Sequence, residues 1–287
     1  MDLQAVSGAA TVALTSTIIF LLIAKSWNAL SRPISSTPSF SDQIMHDAAQ
    51  RFRDELERLT SSQSINLGGA LAFVMLFMAA YVLRAQELFA GYPAWQLYLQ
   101  LVFLCLASGY ALYRLTTTAI ARREVRFVRD ANVAVGHQLQ QLTAGGTRVF
   151  HDVETKAGVV DHVVIGQNGL YAVNVIARRS GNHGSARLQG DVIRFSNSES
   201  EHPIAEISGK THRLEKEFRK LLGHSVRVRS VIALPGWDIV EQCNDEHLLV
   251  SERTLAMLGG WKDKSDYLMN EDVVTLQEEL TTRCIHA

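Results

Sequence analysis

Three long stretches without a single charged side chain constrain this chain more than any other feature. Leu3 to Ala24 ends at Lys25, Ser61 to Leu83 ends at Arg84, and Ala94 to Tyr113 ends at Arg114. A helix of about 20 apolar residues spans the hydrocarbon of a bilayer. Each stretch is long enough to do so. Only Asp2 and the α-amino group precede the first one, so it lacks the basic start of a secretory signal and reads as an uncleaved helix. Trp27, Tyr81, Tyr92, Trp95 and Tyr113 sit near the span ends, where aromatic side chains favour the interface. No ionisable group lies inside a span, which argues against a proton or ion pathway.

The second and third spans are joined by RAQELFAGYPAW, short enough for a helical hairpin. Small residues at Gly68, Gly69 and Ala70, and at Ala107, Ser108 and Gly109, offer faces for helix pairing within the chain or for self-association. Lys25, Arg32, Arg51, Arg53 and Arg58 follow the first span, only Arg84 follows the second, and Arg114, Arg122, Arg123, Arg126 and Arg129 follow the third. The positive-inside rule then puts the N-terminus outside and everything after Arg114 in the cytoplasm. Between the first two spans, Ser31 to Ser41 is a Pro- and Ser-rich linker. Asp42 to Leu59 follows as an amphipathic helix, with Ile44, Ala48, Phe52, Leu56 and Leu59 on one stripe. That helix is not strongly basic, so packing on its own protein is preferred to lying on lipid.

Thr116 to Leu142 reads as a helix leaving the membrane and stopping at Gly145-Gly146. The pattern then changes to strands. Thr147 to Val153 is one, and Gly158 to Ile176 is two more around Gln167-Asn168-Gly169, residues suited to positive φ. Asp161-His162 interrupts the first of these apolar runs, and a carboxylate in a buried strand needs a partner. Arg178 to Gly190 reads as a polar loop, Asp191 to Ser196 as a strand and Asn197 to Glu201 as a turn. A helix is expected from His202-Pro203 to Leu222, with Pro203 at its first position. Val226 to Leu234, apolar at its end, should be a central strand. Leu248 to Val250 is a last short strand, with helices near Glu252 to Leu258 and Asp272 to Thr281. Cys105, Cys243 and Cys284 are too scattered for a zinc site or disulfide framework.

Asp161-His162-Val163-Val164 followed by Gly169-Leu170-Tyr171 resembles the NERD (nuclease-related) domain family, over roughly Arg126 to Leu258. The resemblance implies a PD-(D/E)xK-like, restriction-endonuclease-like α/β (α+β) fold: a mixed central sheet flanked by helices. It also implies a divalent metal, Mg²⁺, held by an Asp and a Glu with a Lys beside them. Three transmembrane α-helices would precede that cytoplasmic domain. The expected layout is a membrane region over 1–115 with spans near 5–25, 63–83 and 95–114 and a linker and amphipathic helix over 31–60. A NERD-like domain over 116–259 and a helical tail over 260–287 complete it.

The sequence departs from the family at the positions that carry chemistry. Asn174-Val175-Ile176 stands where the family has Glu-x-Lys, and Ala131-Asn132 where it has Gly-Glu. Asp161 alone keeps its type, as the catalytic and metal-ligand candidate of a degenerate site with Asn132, Asn174 and Ile176. One carboxylate holds Mg²⁺ poorly, so the expectation is an inactive domain with no cofactor. His162, Arg178 and Arg179 are candidate binding residues, while His151 and Asp152 read as a strand-end pair at the surface. An active enzyme would need Glu124, Asp130, Asp152 or Glu154 as a displaced carboxylate and Lys156 or Lys210 as the cation. The basic stretch from Arg114 to Arg229 could follow a phosphate backbone or meet anionic headgroups. The expected roles are therefore nucleic-acid or protein binding at the cytoplasmic face of a bacterial inner membrane, a displaced-site nuclease, or a membrane scaffold. The partners would be the bilayer, nucleic acid and a second copy of the chain.

Overall fold

A computed structural model describes residues 9, 12–14, 16–19, 21–22, 24, 47–82, 94–179, 184–241, 246–260 and 267–284. The Ser31–Ser41 linker, the connection between the second and third spans, and Cys243 lie outside those residues. The chain divides into two compact units: Met1–Pro38 with Glu55–Val125, and Ser39–Asp54 with Arg126–Ala287.

Two long helices make up most of the described first unit, and their residues 50–54 and 126–140 belong to the second. Helix α1 is Gln50–Val82 and helix α2 is Ala94–Gln140. The sequence suggests an amphipathic helix and a separate span before Leu83, but the backbone is one helix, because no Gly or Pro interrupts Gln50 to Ile65. Its Ser and Thr side chains return their hydroxyls to the preceding turn, as Thr60 does to the Leu56 carbonyl at 2.7 Å. Leu67, Leu71, Val74, Met75, Met78 and Val82 are exposed along α1. Among the described residues one helix is long and apolar enough to cross a membrane, Gln50–Ala79, where the sequence suggests three spans. The described residues between 9 and 24 are helical, and the expected third span lies within α2. Gly69 is a point of close approach, since a Cβ there would stand 2.6 Å from Leu21 Cδ2. Gly109, a small-residue candidate of the expected third span, meets nothing within 4 Å.

The second unit is built on a five-stranded mixed sheet. Its strands are β1 (Arg148–Thr155), β2 (Gly158–Gly166), β3 (Gly169–Val175), β7 (Val228–Ala233) and β9 (His247–Val250), in the order β1-β2-β3-β7-β9. The first three are antiparallel, while β3, β7 and β9 run parallel. The β2–β3 turn is the expected one, though positive φ falls on Gly169 at 138° and not on Asn168. Alternation along the strands divides the core. Val163, Ile165, Leu170 and Ala172 pack with Leu214 and Phe218 of α3 (Ala205–Leu222) and with Leu276 and Leu280 of α4 (Asn270–Arg283). On the opposite face Val164, Tyr171, Val173 and Val231 pack on Val135 and Leu139 of α2. Strand β7 has neighbours on both edges, which accounts for its unbroken apolar end.

A second sheet has the order β6-β5-β4-β8, from β4 (Ser185–Gln189), β5 (Val192–Phe195), β6 (Ser198–Pro203) and β8 (Asp238–Glu241). The sequence reading missed three of these strands. It treats β4 as loop and β6 as turn, and it starts the helix at Pro203, which instead ends β6. These strands are short and polar, and pairing with each other compensates for weak local patterning. The helix expected at Glu252 to Leu258 reduces to the single turn Met257–Gly260.

Candidate functional site

The site grows from the β1–β2 hairpin. The register pairs His151 with His162 and Val153 with Val160, so Asp152 and Asp161 are bracketed between the same two rungs. Asp152 has φ of 51°, a left-handed conformation that Asp tolerates better than most residues. His151, Asp152, Asp161 and His162 are all buried. This overturns the reading of His151 and Asp152 as a surface pair. Their polarity suggested exposure, but tertiary partners make burial tolerable.

Those partners come from far away in sequence. The Asp161 carboxylate accepts the Val175 N–H at 2.7 Å through Oδ2 and bonds the Arg51 Nη2 through Oδ1. The β2–β3 register runs only as far as His162–Val173, so the side chain of Asp161 takes over the next β3 amide. Arg51 also approaches Asp152, its Nε 3.4 Å from Oδ1 and its own backbone N–H donating to Oδ2 at 3.3 Å. One guanidinium therefore sits on two buried carboxylates. Burial pushes the Asp161 carboxyl above the usual carboxylate range, and Arg51 and the Val175 amide pull it back.

The adjacent histidines face the other way. Their Nδ1 atoms are 2.8 Å apart and the rings are nearly perpendicular, at 89°. One ring must donate and the other accept through a bare Nδ1, so the two cannot both be charged. Burial holds His151 down at about 4 and depresses His162 as well, with the charge of its neighbour second. Helix α2 comes close here at Gly136, where a Cβ would stand 2.6 Å from Ala48 Cβ and 3.5 Å from each imidazole Cε1.

The other predicted residues do not converge on Asp161. Asn132 is buried, but its amide donates to the Val128 carbonyl of its own helix at 3.0 Å. Asn174 is buried one residue before Val175 and leaves its Nδ2 without a partner. Ile176 packs into the apolar cluster of Ile232, Leu234 and Trp237. The Arg178 guanidinium lies 4.3 Å over the Phe195 ring, and its carbonyl accepts the Trp237 indole N–H at 2.8 Å. Arg179 lies 5.1 Å over Phe127. Glu124, Glu154 and Lys156 are exposed, Asp130 is bonded to Arg129, and Lys210 pairs with Glu206 at 2.7 Å while its charge reaches Asp161. Sequence reasoning missed Arg51, which it counted only among the basic residues following the first span. No local signal marks it, because the contact joins positions 110 residues apart.

Residues 129–235 match the NERD family, a nuclease-related domain. No curated protein and no solved structure matches the chain. The match spans β1 to β7 and so includes Asp161, Asn174 and Ile176, but not Arg51. The metal implied by the resemblance does not fit the residues present. Asn174 and Ile176 offer no charge, both carboxylates already hold a guanidinium, and among the described residues no group of three His, Cys, Asp or Glu could hold a metal ion.

Proposed function

We propose that this chain is a membrane-anchored nuclease-related domain that does not cleave and acts by binding, with nucleic acid as the favoured partner. The observation that carries this is at the end of β3: Asn174 has a buried Nδ2 without a partner and Ile176 packs against an apolar cluster, where a nuclease needs a carboxylate and a cation. Without them neither the attacking water nor the developing phosphate charge has its usual support. Arg178 and Arg179, each stacked on an aromatic ring, supply preorganised cations for a phosphate backbone. The exposed apolar surface of α1 supports the anchor, which in this reading consists of three spans with the N-terminus outside. The domain then faces the cytoplasm at a bacterial inner membrane.

One observation favours a second reading, a nuclease with displaced groups. Asp152 reaches the same guanidinium as Asp161, and the charge of Lys210 acts on Asp161. The test is incubation of the full chain in detergent with plasmid and single-stranded DNA in Mg²⁺ and in Mn²⁺, beside Asp161→Ala. A fragment beginning at Thr116 would lack Arg51 and report on a different site. A salt-sensitive gel shift without cleavage is the expected result. Cleavage lost in Asp161→Ala would establish the second reading. Neither cleavage nor shift would refute both and leave the spans and protein partners as the seat of function.

A further inference from the structure

Residues 47–54 are seated on the β1–β2 hairpin in a way that several departures from ordinary backbone and side-chain preference make possible. Ala48 rests where helix α2 has Gly136, and any larger residue at 136 would collide with it, at 2.6 Å from Cβ to Cβ. Ala49 is buried with φ of 64°, uncommon for a residue other than glycine. Asp152, also at positive φ, meets the backbone N–H of Arg51 in the first turn of α1. Arg51 then lays its guanidinium on Asp152 and Asp161. Left-handed conformations of this kind are unfavourable for residues other than glycine and persist where surrounding contacts over-determine them.

We propose that this segment is a built-in occupant of the acidic pair: Arg51 holds Asp152 and Asp161 as their cation and keeps a divalent metal out. An intramolecular group competes at an effective concentration of mM or more. Mg²⁺ and Mn²⁺ prefer several oxygen ligands, and two carboxylates alone form a weak set. The guanidinium matches carboxylate geometry and is always charged, so it wins that competition. Removing its charge, or unseating the segment, takes from two buried carboxylates the guanidinium they share, and a divalent cation becomes the natural replacement. This holds whether the domain binds nucleic acid or protein, since it concerns only what the carboxylates hold.

The test is Mn²⁺ uptake by the full chain in detergent, read from the loss of the free Mn²⁺ electron paramagnetic resonance signal. Wild type is expected to take up no more Mn²⁺ than Asp161→Asn. Arg51→Gln is expected to bind at least about tenfold more tightly, and adding Asp161→Asn to it should abolish the gain. Gly136→Ala keeps every charged group and only displaces Ala48; it should show the same gain, and it decides the matter if Arg51→Gln does not fold. Mn²⁺ uptake by wild type that Asp161→Asn removes would overturn the proposal. So would the absence of a gain in the folded variants, or a gain that survives Asp161→Asn. Nuclease activity is not the readout, so the proposal and the binding function fail separately.

Discussion

Acid should weaken the globular unit through its buried histidine pair, and His151→Gln should relieve part of that weakness. His151 is 6 % exposed, and its imidazole is held at about 4 against a usual 6.5. The sign follows from linkage. A depressed folded pKa means that the unfolded chain takes the proton first, so stability is complete above pH 6.5 and falls as pH drops toward 4. Each pH unit within that window costs about 1.4 kcal/mol for this one group. Between pH 7.5 and 5.0 the loss amounts to about 2 kcal/mol, and at pH 4 it approaches 3 kcal/mol. His162 adds in the same direction, since burial and its charged neighbours also lower it. Asp161 opposes both, because its raised carboxyl takes up a proton more readily in the folded state, and stability from it is lost as pH rises. A comparison of wild type with His151→Gln at the same pH values removes the contribution of Asp161. The assay is urea unfolding of the full chain in detergent, followed by circular dichroism at pH 7.5 and 5.0. The variant should lose about 2 kcal/mol less than wild type between the two pH values. Equal losses in the two proteins would refute the placement of a neutral, buried His151 against His162.

Two further outcomes test the packing. Trp237→Phe keeps the ring against Phe195 but removes the N–H that reaches the Arg178 carbonyl at 2.8 Å, so it should cost about 1 kcal/mol in the same unfolding assay. Cys284 is buried and its thiol is pushed up to about 11, so mass spectrometry should find it unmodified by iodoacetamide at pH 8 until urea unfolds the domain.

The sequence alone determined the parts of this protein that rest on local periodicity. The β2–β3 hairpin, the central strand β7 and helix α4 were all legible, because an apolar run or a helical stripe specifies its own conformation once one face is buried. The likeness to a nuclease-related domain was legible in Asp161-His162 and Gly169-Leu170-Tyr171, because side-chain type in a recognised order needs no geometry. Strands β4, β6 and β8 were not, since short polar strands are stabilised by their partners across the sheet and carry little pattern of their own. Only the tertiary structure decided what the buried carboxylates hold. His151 and Asp152 look solvent-loving in sequence, and Arg51 looks like one charge among several on an amphipathic helix. Burial is a property of the assembled sheet and helices, and a charge can be buried only where the fold delivers its counter-charge, here from 110 residues away.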